Sequence, residues 1–220
     1  QAHTRQRRRA NARNMADINT VHDVVQQVDH LRHNGGDHEL EQQLFQIEQY
    51  VEMVLQYLRL ESMSSDLELG TYDLDHIVKQ AVKKYSLVFI HKKLAVTIEE
   101  TGYKALTDEK WLTFVIEQLL SNALKYTRTG GIAIGPDPCR PETLMITDTG
   151  IGIREEDLPR IFERGFTGYN GRMDKKSTGI GLFLCLRILQ KLGHQISITS
   201  KIGEGTTVRL DFSREKLEKE

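Results

Sequence analysis

The chain has 220 residues and a mass of 25.2 kDa, enough for one medium domain with a smaller element or for two small domains. Its 30 basic and 31 acidic residues leave a formal net charge of −1, which argues against a highly basic nucleic-acid binder or an acidic tail protein as a reading of the whole chain. Charged residues at 28% and hydrophobic ones at 39% are an ordinary soluble globular mix, and no apolar run approaches the ~20 residues that cross a bilayer.

The N-terminus carries Arg5, Arg7, Arg8, Arg9 and Arg13, with no apolar stretch after them of the kind a signal peptide has. The first ~66 residues read as helix with one break. Ile18, Val21, Val25 and Val28 recur at helical spacing. The break is Asn34-Gly35-Gly36-Asp37, a strong turn signal. After it, Leu40, Leu44, Ile47, Val51, Val54 and Leu58 alternate four- and three-residue steps, which makes one continuous seam. Two such helices joined by a short loop form an antiparallel hairpin. A lone hairpin buries its seam on one side only, so a homodimer is expected, with two hairpins pairing as a four-helix bundle.

The remainder reads as α+β. Residues 75–89 are amphipathic and predict one helix, and 94–98 alternate like a strand. Asp108 is placed to cap a long helix through Trp111, Val115, Leu119 and Leu120 to Tyr126. Residues 131–135 and 143–147 predict a strand pair joined by a proline-rich loop. Residues 149–178 are rich in glycine and charge with little periodicity, and a long irregular stretch inside a compact domain is usually functional. Helix returns over 180–192, and 195–200 with 206–212 predict a closing hairpin around Gly203-Glu204-Gly205. The two cysteines, Cys139 and Cys185, stand in neither a C-x-x-C nor a His-spaced pattern. They read as free thiols in a reducing cytosol.

Four blocks carry chemistry: Asn122-Ala123-Leu124-Lys125-Tyr126, Asp148-Thr149-Gly150-Ile151-Gly152, Ser177-Thr178-Gly179-Ile180-Gly181-Leu182, and Gly203-Glu204-Gly205-Thr206-Thr207. An Asn on a helix can ligate a hard cation such as Mg²⁺ through its carbonyl oxygen, with phosphates completing the shell. A nearby Lys neutralises phosphate charge. An Asp after a strand, followed by small residues, can accept a hydrogen bond from an exocyclic amine while the backbone approaches a flat ring. A Gly-x-Gly opening a helix leaves N–H groups to hold an anion. Taken singly, each block is more often a turn or a solvated helix end. In this order and spacing they are more than that.

Over about residues 67–214 the sequence resembles the catalytic ATP-binding domain of sensor histidine kinases, in the superfamily shared with DNA gyrase, the Hsp90 chaperones and MutL. Asn122 matches the N-box asparagine. The Asp148 block matches the first Gly box, Phe162 in Ile161-Phe162-Glu163-Arg164 the F box, and Gly179-Ile180-Gly181-Leu182 the second Gly box. Thr206 matches the threonine of the last box. The resemblance implies an α/β sandwich with ATP under a mobile lid at about 155–178, after a phosphotransfer and dimerisation hairpin at 1–66. It also implies that Asn122 binds Mg²⁺ and Asp148 the adenine amine, with Gly150, Gly152, Gly179, Gly181, Leu182 and Phe162 shaping the nucleotide site. Thr206 would help hold the adenine, directly or through water. Lys125, Tyr126, Lys175 and Lys176 would meet phosphate or nucleotide. Gyrase-type ATPases place a general-base glutamate four residues before the metal-binding Asn; here that position is Gln118, which suits phosphoryl transfer to another residue better than hydrolysis.

Ile47-Glu48-Gln49-Tyr50-Val51, Thr107-Asp108-Glu109-Lys110-Trp111 and Phe166-Thr167-Gly168-Tyr169-Asn170-Gly171-Arg172 look like the bacitracin-type kinases. Those work with ABC transporters in Gram-positive bacteria and carry two short membrane helices before the cytoplasmic part. The resemblance makes this chain a cytoplasmic fragment of a bacterial cell-membrane protein, joined to the membrane only through segments outside it. Arg5–Arg13 would then lie beside anionic lipid or in a solvated terminus. The expected partners are a second copy and a response regulator, with an ABC transporter as a possible third and no nucleic acid.

The phosphoacceptor has two competing registers. His22-Asp23-Val24-Val25-Gln26-Gln27 looks like the H-D-x-x-x-Q pattern of another kinase subfamily. His22 would attack the γ-phosphorus, Asp23 would orient the ring, and Gln27 would position a water that removes phosphate from the regulator. Bacitracin-type kinases instead carry H-Q-I-K-T-P, and Ala16-Asp17-Ile18-Asn19-Thr20-Val21 aligns Ile18 and Thr20 but puts Ala16 at the histidine. In that register the acceptor is missing, and the protein is a kinase-like dimer using ATP as a conformational switch. His30, His33 and His38 near the hairpin loop read as solvated, and His76, His91 and His194 as structural.

Overall fold

The computed structural model describes residues 38–60, 67–168 and 178–213. The chain divides into two compact units, Gln1–Met63 and Ser64–Glu220. In the first, helix α1 (His38–Arg59) runs unbroken over 22 residues, as the seven-residue repeat predicts. Within the seam, Leu44, Val51 and Val54 are half-buried, whereas Ile47 and Leu58 are exposed. The partner helix expected at 18–28, and with it the hairpin, lies outside the described residues.

The second unit is a mixed sheet covered by helices. Its elements are β1 (Gly70–Asp73), α2 (Leu74–Lys84), α3 (Ser86–Lys92), β2 (Ala95–Ile98), β3 (Lys104–Thr107), α4 (Glu109–Tyr126), β4 (Gly131–Pro136), β5 (Thr143–Asp148), a 3-10 turn (Leu158–Arg160), α5 (Gly181–Leu192), β6 (Gln195–Lys201) and β7 (Gly205–Asp211). The main sheet has the order β2-β4-β5-β7-β6, antiparallel except for the β2–β4 pair. Strand side chains alternate between faces, so register fixes which residues share one. Ile196, Leu210 and Leu144 form one cross-strand row, and Ile198, Val208, Ile146 and Ile134 the next. Those rows are the apolar face, over which α2, α4 and α5 pack side by side. The opposite face carries Thr199, Thr207 and Thr147, then Ser197, Arg209 and Met145. One apolar and one polar face is the pattern of a two-layer sandwich with water on one side.

Helix α4 begins where its cap predicts. The Asp108 carboxylate accepts the Trp111 N–H at 3.1 Å and the Glu68 N–H at 2.8 Å. The single helix expected over 75–89 is instead two. Tyr85 leaves helical geometry (φ −94°, ψ 6°) and closes a tight bond from its N–H to Val82 O. Tyr85 and Phe89, four residues apart on either side of the break, are both buried. Strands β1 and β3, which pair antiparallel as Gly70↔Thr107 to Asp73↔Lys104, have no counterpart in the sequence reading. Four residues each is too short for alternation to register, and their pairing spans more than thirty residues of chain. Cys139 is exposed and Cys185 buried, both as free thiols; burial pushes the Cys185 pKa up to about 12, which leaves it unreactive.

Asp75 at the start of α2 ties this layer together. Its carboxylate accepts from Thr101 N (2.8 Å), Thr101 Oγ1 (2.9 Å) and Gly102 N (2.9 Å). Burial alone would raise its pKa, but these hydrogen bonds outweigh it and hold the carboxyl below its ordinary value. A depressed acid contributes stability that is fully present above its unfolded pKa and is lost as pH falls through the folded one. Asp75→Ala is expected to lower the unfolding free energy at pH 7 by about 2 kcal/mol, with the deficit shrinking below pH ~4. Urea titrations at several pH values check this, and a deficit that stays constant down to pH ~2 contradicts it.

Candidate functional site

At one end of the apolar face the cross-strand rows turn polar. Ser200 of β6, Thr206 of β7 and Asp148 of β5 stand in line, with Ile132 of β4 completing the row. Asp148 is 8% exposed. Burial raises its pKa, and the backbone N–H groups of Gly150 (2.8 Å to Oδ1) and Thr206 partly offset that. The row also fixes the direction of a proton. Ser200 Oγ lies 2.8 Å from Gly205 O, which can only accept, so its hydrogen goes there. Ser200 then accepts from Ile153 N (2.8 Å) and from the Thr206 hydroxyl (2.9 Å). Thr206 Oγ1 is left with lone pairs and Asp148 with carboxylate oxygens. Toward a ligand, both side chains are hydrogen-bond acceptors.

Glycine permits this row to close. Gly205 has φ +108°, and a Cβ there would stand 1.9 Å from Asp148 O. Gly152 has φ +73°, with Lys201 O at 2.1 Å from its would-be Cβ. The loop after β5 is tied back by Gly203 N to Ile151 O (3.0 Å) and by the Thr149 hydroxyl, which accepts from Gly131 N and donates to Thr129 O.

Helix α4 lies beside this loop. Gln118, Asn122 and Tyr126 follow at four-residue steps and share a face. At one end of that face, a Cβ on Gly181 would come within 3.2 Å of Gln118 Oε1. At the other, Tyr126 O accepts the Ile151 N–H at 3.2 Å and stands 2.7 Å from a would-be Cβ on Gly150. Half-buried Asn122 therefore sits between the loop that follows β5 and the glycines that open α5. Glu117, the carboxylate beside Gln118, pairs with Lys84 of α2 at 2.6 Å, and its position on α4 is about 140° around from Asn122. Lys125 Nζ is 5.5 Å from the Tyr126 ring centroid in the last turn.

Helix α5 starts at Gly181 after Ile180, and no side chain caps it. Its first-turn N–H groups and dipole form an anion-favouring end. Leu182 is half-buried in that turn, and Gly179 O accepts Gly165 N at 2.9 Å. That bond joins the second Gly block to the turn holding half-buried Phe162. In the same turn the Arg160 guanidinium stacks 4.4 Å from the Phe166 ring centroid and pairs with Glu163.

The fold thus gathers Asp148, Gly150, Gly152 and Thr206 into one cluster, with Asn122, Lys125 and Tyr126 on the neighbouring helix and Gly179, Gly181 and Leu182 at the next helix start. Lys175 and Lys176 lie outside the described residues, as do His22, Asp23 and Gln27. Among the described residues no group of three or more His, Cys, Asp or Glu side chains is placed to hold a metal. No helix among them is long and apolar enough to cross a membrane. Sequence reasoning did not single out Ser200. Its signal is weak, one serine in an alternating strand, and only the register with Thr206 gives it meaning.

Residues 107–216, half of the chain, match the family model described as histidine kinase-, DNA gyrase B-, and HSP90-like ATPase. The chain belongs to that family. Its sequence is 37% identical over 158 residues to sensor protein BceS of Halalkalibacterium halodurans, covering 71% of this chain and 47% of that protein. It is 32% identical over 178 residues to sensor histidine kinase YxdK of Bacillus subtilis, covering 79% and 55%. It is 37% identical over 156 residues to sensor protein kinase GraS of Staphylococcus aureus, covering 70% and 45%. The chain spans about half the length of the curated relatives it matches. Among solved structures, full-length ShkA in complex with AMPPNP matches with a TM-score of 0.64 at 19% identity, over 90% of this chain and 43% of that one. The histidine kinase AdeS of Acinetobacter baumannii matches with a TM-score of 0.55 at 19% identity, over 90% and 98%. Both likenesses are of fold.

Gly203 and Gly205 separate two kinds of glycine in one turn. Both have positive φ, but a Cβ on Gly203 meets nothing within 4 Å. Gly203→Ala is expected to cost about 1–2 kcal/mol of stability, the backbone cost alone. Gly205→Ala should cost roughly 2 kcal/mol more, because it drives the β7 backbone off Asp148. Chemical denaturation of the two variants measures the difference, and equal costs contradict the close approach.

Proposed function

We propose that the chain is the cytoplasmic catalytic part of a bacterial sensor histidine kinase. It binds ATP as its magnesium complex, moves the γ-phosphoryl group to a histidine of its own N-terminal hairpin, and passes it to an aspartate of a response regulator. The observation that carries this reading is the acceptor row of buried Asp148 and half-buried Thr206, followed by a loop bonded to α4 at Tyr126, within a chain of the ATPase family. An aminopurine donates through its exocyclic amine, and an acceptor pair is the complement of that amine. The triphosphate would run toward the uncapped start of α5, where N–H groups and the helix dipole favour negative charge.

Magnesium ions keep much of their hydration and take few protein ligands, completing their shell with phosphate oxygens. A single asparagine between two glycine loops fits that need. Bound there, Mg²⁺ neutralises phosphate charge, and Asn122 is the side chain that would hold it. Lys125 and Tyr126 would flank the phosphates, with Lys175 and Lys176 in the lid, while Gly150, Gly152, Gly179, Gly181, Leu182 and Phe162 shape the walls. Gln118 lacks a carboxylate to take a proton from water, and Glu117 is held by Lys84, so hydrolysis has no base on this face. In transfer, an imidazole nitrogen of His22 forms the bond to the γ-phosphorus as the bond to the bridging oxygen breaks, and ADP leaves. Asp23 would orient the ring, and Gln27 would serve the reverse removal of phosphate from the regulator.

Domains at 1–66 and 67–220 divide these tasks, the first for phosphotransfer and dimerisation. The exposed seam residues Ile47 and Leu58 of α1 support a homodimer completed as a four-helix bundle. The likeness to BceS supports a bacitracin-type kinase that works beside an ABC transporter, joined to the membrane through segments outside this chain. A second reading rests on Ala16 and Val21 standing where the bacitracin-type pattern has His and Pro. It makes the chain an acceptor-less dimer that binds ATP as a conformational switch.

Incubation of the full chain with Mg²⁺ and γ-labelled ATP is expected to give an acid-labile, alkali-stable phosphoprotein, with the label located on His22 by mass spectrometry and absent from His22→Gln. Label that persists in that variant overturns the His22 assignment. Nucleotide binding with no label selects the switch reading. Steady phosphate release by the chain would mark a hydrolytic ATPase instead.

A further inference from the structure

Thr127 follows the last residue of α4. It is fully buried, yet its hydroxyl has no hydrogen-bond partner among the described residues. Buried hydroxyls are normally paired, so an orphan beside a binding site marks a missing partner. Its surroundings indicate what that partner is. A Cβ built on Gly150 would lie 3.0 Å from Thr127 Oγ1 and 2.6 Å from Asp148 Oδ1. The two oxygens converge on the same glycine, at the end of the polar row.

The Thr127 backbone is locked there. Its N–H donates to Ala123 O at 3.0 Å, and its carbonyl accepts from Lys92 Nζ at 3.1 Å. The same ammonium also donates to Leu124 O, so Lys92 acts as a positioning residue for the end of α4. Only the hydroxyl hydrogen is free to choose its direction.

The polar row has a matching need. Asp148 and Thr206 present acceptors, because the Thr206 hydrogen is committed to Ser200. An adenine edge carries a donor, the exocyclic amine, next to an acceptor, ring nitrogen N1. Acceptors alone satisfy half of it. We infer that Thr127 is a third residue reading the purine edge, its hydroxyl donating to N1 directly or through one bridging water while Asp148 accepts from the amine. This rests on the nucleotide-site reading proposed above.

The test is a calorimetric titration of the full chain with two probes, a non-hydrolysable ATP analogue and its 1-deaza counterpart, in which N1 is replaced by a carbon. Thr127→Val keeps the shape and removes the hydroxyl. It should weaken binding of the ordinary analogue roughly five- to tenfold, the size of one net hydrogen bond. The 1-deaza analogue should bind wild type and Thr127→Val alike, and Thr127→Ser should bind the ordinary analogue as wild type does. The melting temperature without nucleotide should not fall in Thr127→Val, since an unpaired hydroxyl is replaced by a methyl group; a purely structural role predicts a fall. Equal affinity of wild type and Thr127→Val for the ordinary analogue, with Asp148→Asn already weakened, overturns the inference and leaves the nucleotide site standing. So does an equal loss for both probes. A wild-type chain that binds neither probe overturns the parent reading as well.

Discussion

A carboxylate buried at the end of a β-strand is the constraint on which the rest of this unit depends. Asp148 is almost wholly removed from water, and burial disfavours its charge. What makes it tolerable is local: two backbone N–H groups, from Gly150 and Thr206, close on it. Both require close backbone approach, which explains why glycines crowd that corner. Gly150, Gly152 and Gly205 lie where any side chain would strike a carbonyl or carboxylate oxygen. The apolar rows behind Asp148 and the helices over them hold this corner rigid. The polar row of Ser200, Thr206 and Asp148 is the surface proposed to recognise a nucleotide.

Much of this was legible in the sequence, and the reasons are specific. The α4 helix announced itself through the Asp108 cap and a long apolar period. The β6–β7 pair was visible because two alternating runs flank Gly203-Glu204-Gly205. The motif blocks were recognisable because their residue types and spacing match a known family pattern, with glycines where close approach demands them. Their convergence was only implied by resemblance. The register Ser200↔Thr206↔Asp148 and the Tyr126–Ile151 bond now supply a physical reason for it.

What the sequence hid depended on partners far along the chain. Strands β1 and β3 exist through each other, and neither has enough residues to declare a period. Tyr85 breaks a pattern that looks continuous: Val78, Ala81, Val82, Tyr85 and Phe89 keep helical spacing across the break, so the apolar period carries no mark of it. Ser200 sets the proton of Thr206, Lys92 holds the end of α4, and Thr127 offers a hydroxyl beside Gly150. Each of these is an ordinary residue whose meaning comes from a neighbour 6 to 35 positions away.

The central claim is that Asp148 reads an exocyclic amine. Affinities of ATP and ITP analogues test it most directly, because inosine presents a carbonyl oxygen where adenosine presents the amine. The wild-type chain is expected to prefer the adenine nucleotide, and Asp148→Asn to erase most of that preference. A preference that survives intact in Asp148→Asn, or no preference in the wild-type chain, would contradict it.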